Sequence, residues 1–255
     1  MTERIVDLHG KRAIVTGGSR GIGRSAAILL GRAGAHVGIA YRTREEDAAS
    51  VVAEIRNDGG TAWAVGVDLG TPEGSAQLFE RCDQEFGWLD IFVGNAGIWP
   101  PEYVPVGEMT DEQWEEVIRG NLTSVFLNVR DAAHRMADGG KIVIVSSTAG
   151  QRGEAGHSHY AASKGALISF VKSVAIELAP RDIQVNAVAP GWVDTEMAAP
   201  ALSGAERDHV LSGIPLGRLA AADDIAGPIL FLCSRLARHV TGEVLNVNGG
   251  SVLCG

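Results

Sequence analysis

The sequence predicts an α/β protein built on a parallel sheet with helices on both faces. Three observations predict it. Short β-branched runs recur along the chain, and most lack the polar alternation of a strand with one wet face, so they read as strands covered on both sides. Between them lie longer segments with apolar residues at three-to-four spacing. Glycines, 33 of them, close those segments and punctuate the connections without gathering into a linker, so residues 1–255 are expected to form one domain.

The elements follow in order. RAIVT (12–16) is the first strand, and GIGRSAAILLGRAG forms a helix straight after a glycine-rich turn. HVGIAY (36–41) is followed by the helical EEDAASVVAEIRNDGG, and TAWAVGV (61–67) by TPEGSAQLFERCDQEFG. LDIFVG (89–94) precedes a long helical stretch from Asp111 to Ala137 that carries Trp114, Val117, Leu122, Val125, Phe126 and Val129. KIVIVSS (141–147) leads to a helix from about His159 to Ala179, and DIQVNAVA (182–189) and EVLNV (243–247) complete the strands. Strand and helix alternate almost throughout, as a parallel sheet requires.

Composition narrows the function. A net charge of -9 repels nucleic acid and anionic membrane surfaces, so neither is an expected partner. Cys82, Cys233 and Cys254 are odd in number and have no paired spacing, which predicts no disulfide framework and no metal site. The charged N-terminus has no apolar signal region, and no run approaches the roughly eighteen apolar residues of a spanning helix. A cytoplasmic protein is the expectation.

The first chemical signal is TGGSRGIG, Thr16 to Gly23, between the first strand and the first helix. Gly17, Gly21 and Gly23 allow a tight turn and let a pyrophosphate approach backbone N–H groups at a positive helix end. The second strand ends in Ala40-Tyr41-Arg42-Thr43. A carboxylate there would grip the ribose of NAD, whereas an arginine suits the 2′-phosphate of NADP. No carboxylate occurs before Glu45, and Arg20 in the glycine loop offers a second guanidinium, so NADP(H) is expected over NAD(H).

The second signal is YAASK, with Tyr160 and Lys164 one helical turn apart on one face. A free phenol has a pKa of about 10, and bringing it near 7 takes roughly 4 kcal/mol of preferential stabilisation of the phenolate. A buried ammonium beside an oxidised nicotinamide is the expected source, so Lys164 should lower the Tyr160 pKa. Taken alone, the same spacing also describes a core-edge tyrosine and a solvated lysine.

From TGGSRGIG (16–23) through GNAG (94–97), Asn121 in RGNLTSVF, Ser147 in VSSTAG, YAASK (160–164), NAVAPGWVDTEM (186–197) and VNGG (247–250), the chain resembles the short-chain dehydrogenase/reductase family along its whole length. The resemblance implies a doubly wound, seven-stranded Rossmann fold and hydride transfer between a nicotinamide cofactor and a carbonyl or alcohol. It implies a catalytic quartet of Asn121, Ser147, Tyr160 and Lys164. Ser147 would bind the carbonyl, Tyr160 would protonate it, Lys164 would also hold the nicotinamide ribose, and Asn121 would fix a water linking Lys164 to solvent.

Cofactor contacts follow from the same resemblance. Ser19 and Ile22 join Gly17, Arg20, Gly21 and Gly23 in the loop; Arg42 and Asp68 serve the adenosine end, Asp68 at the adenine. Asn95, Ala96 and Gly97 lie beside the adenosine ribose, and Pro190, Gly191, Val193 and Thr195 beside the nicotinamide, with Thr195 on its carboxamide. GNAG departs from the family's commoner N-N-A-G, because Gly94 replaces an asparagine that helps brace the central strands.

For the substrate, Trp99, His157, Trp192 and Met197 are expected to line an apolar, aromatic pocket. Pro100, Pro101 and Tyr103 stand at its entrance, and residues 192–213 form its cover. His157 and His159 either contact substrate or cap the helix. The short cover and IPLGR resemble bacterial 3-oxoacyl-carrier-protein reductases, yet Asp138 stands where those tend to carry a basic residue, while Arg181 matches a second such position. The expected activity is an NADPH-dependent carbonyl reductase acting on a small ketone or secondary alcohol, including 3-oxoacyl thioesters. The alternative is a cofactor-binding redox sensor without turnover. An epimerase or dehydratase is disfavoured, since no extra substrate domain follows residue 190. A homotetramer is also implied.

Overall fold

The computed structural model describes residues 5–202 and 204–253; Met1 to Arg4, Ser203, Cys254 and Gly255 lie outside the described residues. The strands β1 (Arg12–Thr16), β2 (His36–Tyr41), β3 (Thr61–Gly66), β4 (Leu89–Gly94), β5 (Met136–Val145), β6 (Gln184–Pro190) and β7 (Val244–Val247) form one parallel sheet in the order β3-β2-β1-β4-β5-β6-β7. The helices are α1 (Gly21–Arg32), α2 (Glu45–Asn57), α3 (Pro72–Glu85), α4 (Asp111–Ile118), α5 (Ser124–Arg135), α6 (Ala149–Arg152), α7 (Ser158–Leu178), α8 (Gly204–Ser212) and α9 (Ala222–Leu232).

Successive strand residues point to opposite faces, and here both faces are dry. Ala13 and Val15 of β1 enter a core with Leu30 of α1, Val51 of α2 and Ile229 of α9. Ile14, between them, enters the other core with Phe79 of α3, Val129 of α5, Leu167 of α7 and Phe92 of β4. That double burial removed the polar alternation from the sequence. Phe79 and Phe92 are fully buried with ring centroids 6.2 Å apart, and truncating either to Ala would cost about 3–5 kcal/mol. Cys82 and Cys233 are buried free thiols that burial pushes up to about 12, which leaves them unreactive. Among the described residues, no helix is long and apolar enough to cross a membrane.

Two elements depart from the sequence expectation. The stretch expected as one helix from Asp111 to Ala137 is α4 and α5 joined by a π turn, Arg119–Thr123, and it ends at Arg135. The fifth strand starts at Met136, which pairs with Leu89 before a register shift brings Lys141 opposite Ile91. Gly139, with φ +79°, lies in that irregular segment and breaks the alternation a strand would show in sequence.

Chain order reverses between β1 and β4, which are neighbours in the sheet. In an open α/β sheet the crevice at the carboxyl ends of two such strands is where ligands bind.

Candidate active site

Thr16 ends β1 at that crevice, and the chain turns through Gly17 (φ +64°) and Gly21 (φ +53°) into α1. Only glycine fits at position 23, because a Cβ there would lie 2.2 Å from the Gly17 carbonyl oxygen. No side chain caps the first turn of α1 and no acidic residue occupies it, so its N–H groups and positive end face the crevice. The Thr16 hydroxyl donates to the Val93 carbonyl (3.3 Å) and accepts from the Asn95 and Ala96 N–H groups (2.9 and 3.0 Å). The Asn95 amide donates back to the carbonyls of Thr16 (2.9 Å) and Gly17 (3.2 Å). These bonds lash the loops after β1 and β4 together where Gly94 carries no bracing side chain.

The resulting cleft holds a cavity of about 330 Å³, which extends past the end of β2 and across to the loops after β5 and β6. At the β2 end, Arg20 and Arg44 converge on Glu196 of the cover segment at 2.7 and 3.3 Å, and Arg20 holds the Glu196 carboxyl below the usual range. Arg42 lines the same end and makes no hydrogen bond or ion pair with a described residue. Asp68 lines the cleft while bonded to Arg119 (3.2 Å) and the Gly70 N–H (3.0 Å).

Toward the middle of the cleft stand Ser147, Tyr160 and Lys164. Ladder bonds continue beyond β5, from Ser146 N–H to Val188 and from Thr148 N–H to Pro190, and they fix the Ser147 backbone between them. The Ser147 hydroxyl accepts from Ala149 N–H (3.1 Å) and lies close enough to the Tyr160 phenol to act on its titration. Tyr160 and Lys164 share a face of α7, with the ammonium 5.8 Å from the ring centroid. Lys164 is 4 % exposed and donates to the Val145 carbonyl at 2.8 Å. Burial raises the Tyr160 pKa to about 12; Ser147 opposes the rise and the Glu154 charge adds to it. Burial lowers that of Lys164 to about 8.

The expected lowering of the tyrosine by the lysine is therefore absent from the protein's own groups. Desolvation of the partly buried phenol dominates. Asn121, at the centre of the π turn and fully buried, donates to the Ile98 carbonyl (3.0 Å) and the Ser163 hydroxyl (3.1 Å), and its oxygen accepts from Ile98 N–H (2.7 Å). Ser163 in turn donates to the Tyr160 carbonyl (2.7 Å). Both amide hydrogens are thus spent on protein groups, and the side chain clamps the loop after β4 to the tyrosine helix.

The expected substrate residues divide. Trp99 stacks on His157 (centroids 5.0 Å apart, 19° between planes) and meets Trp192 edge-on (5.8 Å, 84°). Met197 lines the main cleft, and Thr195 and Val193 lie between it and Gly191. Tyr103 instead packs over Gly156, and His159 is buried without lining either cavity.

A family model described as enoyl-(acyl carrier protein) reductase matches residues 17–251. The chain belongs to the short-chain dehydrogenase/reductase family. It is 42% identical over 248 residues to the 3-oxoacyl-[acyl-carrier-protein] reductase of Aquifex aeolicus, covering 96% of this chain and 98% of that protein. It is also 42% identical over 250 residues to the L-rhamnose 1-dehydrogenase (NAD(P)(+)) of Azotobacter vinelandii, covering 95% and 97%. The crystal structure of a short chain dehydrogenase from Burkholderia cenocepacia in complex with NADP matches with a TM-score of 0.90 at 38% identity, covering 96% of this chain and 98% of that one. This short-chain dehydrogenase/reductase is an oxidoreductase.

Several residues of this family member's cleft escaped the sequence reading. Arg44 sits three residues past the end of β2, beyond where a ribose-binding side chain is sought. Thr16 was legible only as a strand end, and Ser163 only as a small spacer. Glu154, six residues before Tyr160, lines the cleft together with Trp99. Its signal was a lone carboxylate in the otherwise uncharged GEAGHSHY run. Arg181 spends its guanidinium on Asp138 (3.0 Å) and on the carbonyls of Ala133 (2.8 Å) and Met136.

Proposed function

We propose that the protein transfers hydride between NADP(H) and a ketone or secondary alcohol, with Ser147, Tyr160, Lys164 and Asn121 as its working residues. The observation that carries this reading is the meeting of Ser147, Tyr160 and the buried Lys164 in one cleft with the uncapped, glycine-lined start of α1. The cradle fits a dinucleotide: the pyrophosphate would lie on Gly17 to Gly23, the adenosine beside Asp68, Asn95, Ala96 and Gly97, and a 2′-phosphate within reach of Arg20, Arg42 and Arg44. The nicotinamide half would lie along Pro190, Gly191, Val193 and Thr195. Bound there, the dinucleotide supplies or accepts hydride.

The chain's own part is proton handling and orientation. A phenol held near 12 keeps its proton at neutral pH, so Tyr160 is poised to give it to the oxygen that Ser147 holds by hydrogen bond. Lys164 anchors to Val145 and presents its remaining protons to the cleft. Asn121 sets the position of α7 through Ser163. The names of the relatives span an acyl thioester reductase and a sugar dehydrogenase, both consistent with carbonyl–alcohol interconversion. The engaged Arg181 weakens the case for docking an acidic carrier protein. Exposed Trp114, Phe126, Ile176 and Phe231 on α4, α5, α7 and α9 support a homotetramer, and the cytoplasm suits the buried free thiols. The redox-sensor reading gains no support from the site.

Tyr160→Phe tests the mechanism. The expected loss in kcat/KM for carbonyl reduction is about 10²–10⁴-fold with NADPH binding retained. Reduction within a few-fold of wild type would refute the assigned role.

A further inference from the structure

Beside Tyr160 the cleft opens into a second cavity of about 430 Å³, and Trp99, Glu154 and Trp192 line both. We propose that Glu154 and His157, framed by Trp99 and Trp192, form a hydroxyl-reading subsite that selects a cyclic polyhydroxylated substrate of the pyranose type over an unsubstituted acyl chain. The inference rests on the function proposed above and names its substrate class.

His157 is 7 % exposed, and its Nε2 has no partner among the described residues. Its other nitrogen faces the Ala155 carbonyl (3.3 Å) and lies 3.9 Å from a Glu154 oxygen. A buried ring nitrogen without a protein partner is costly unless a ligand or a water meets it. The Glu154 side chain is 17 % exposed and lies close enough to the Trp99 indole for it to act on its titration. A carboxylate has about four acceptor sites, so it can take substrate hydroxyls as well. Arg152, close enough to act on Glu154 by charge, also lines the cleft.

The aromatic walls complete the match. Trp99 and Trp192 stand nearly perpendicular, which offers a flat face and an edge to a ring whose C–H groups are apolar and whose rim is hydroxylated. An alkyl chain in the same space would strand the carboxylate and the imidazole without partners. Sites built around such polar groups reject analogues that lack the hydroxyls. In the oxidising direction, hydride leaves the carbinol carbon for the nicotinamide as C=O forms. The hydroxyl proton would pass to the Tyr160 oxygen as the phenol gives up its own to solvent, a release that the raised phenol pKa places at alkaline pH.

The test compares kcat/KM for a panel of aldopyranoses and cyclohexanol with NADP⁺, and for an acetoacetyl thioester with NADPH, in wild type, Glu154→Gln and His157→Phe. The phenylalanine keeps the stack on Trp99 and removes both ring nitrogens. At least one pyranose should exceed cyclohexanol in the wild type and quench or shift tryptophan emission on binding. Each substitution should lower the pyranose-to-cyclohexanol ratio by about 10–100-fold, the scale of one hydrogen bond to a charged group. Because the readout is a ratio, partial loss of folded enzyme leaves it intact, and Glu154→Ala and His157→Gln replace either variant that fails to fold. A wild type that prefers the thioester to every pyranose, or a ratio unmoved by both substitutions, overturns the subsite and leaves the proposed function standing. Turnover of none of these substrates would sink that function and the subsite with it.

Discussion

The two halves of the cleft are built from different material. The half under β1 and β4 is backbone: glycines at fixed φ, a bare helix start, and the Thr16 and Asn95 side chains spent on holding loops in place. The half around Trp99 is side chain, and there the His157 Nε2 is buried without a partner among the described residues. The first leaves only the backbone N–H groups of the helix start open and presents a shape common to any dinucleotide. The second is left polar and incomplete, as a surface awaiting one particular substrate would be. Generic recognition is written in the backbone, and specific recognition in side chains whose bonding is left open.

The sharpest break of that contrast is Gly23→Ala. Its Cβ would press on the Gly17 carbonyl and on the Asn95 amide at 2.5 Å, backbone and brace together, with no flexible end to give way. Dinucleotide affinity, read by fluorescence titration, should fall by about 100-fold or more, with about 1–3 kcal/mol lost from stability by urea melts. An alanine that binds NADPH normally would show the cradle to be tolerant, and the backbone half would lose its distinction.

A smaller effect is expected where side chains serve the generic half. Arg42 lines the adenosine end with no partner among the described residues, whereas Arg20 and Arg44 share Glu196. Arg42→Ala should raise the KM for NADPH by about tenfold while that for NADH moves little, the scale of one charge-assisted bond at an exposed site. Equal losses for both cofactors would mean that Arg42 does not meet a 2′-phosphate.

The same division explains what was legible in the sequence. Strands buried on both faces have a plain signature in their unbroken apolar runs, and the glycine turn has one because few residues besides glycine adopt its φ. The π turn around Asn121 has almost none. It inserts one residue into an apolar helical pattern that continues on either side, and its purpose becomes visible only when Ile98 and Ser163 arrive from elsewhere in the chain. Arg44 and Glu154 likewise depend on where loops fold back. The direction of the Tyr160 shift was unreadable because it depends on burial, which spacing along α7 does not report.

Lys164 sits where the two halves meet, and it yields the smallest effect and the most diagnostic one. The burial that holds it near 8, against an ordinary lysine value of 10.5, means that the folded protein resists its charge. Between those two values the unfolded chain binds more protons than the folded one, so the Lys164 contribution to stability rises with pH across that window. Above about 10 the raised Tyr160 pKa acts oppositely, because the folded state then holds the extra proton and stability falls. In Lys164→Met, urea melts at pH 7 and 9.5 should show stability at pH 7 equal to or above wild type and no rise between the two, while carbonyl reduction is abolished. The methionine fills the volume and removes the buried charge, at the cost of the bond to Val145. A variant that is less stable at pH 7 and keeps the wild-type slope would make Lys164 a structural cation. An enzyme that gains stability as it loses turnover would show that the protein holds that ammonium in place, against its own folding preference, for the chemistry beside it.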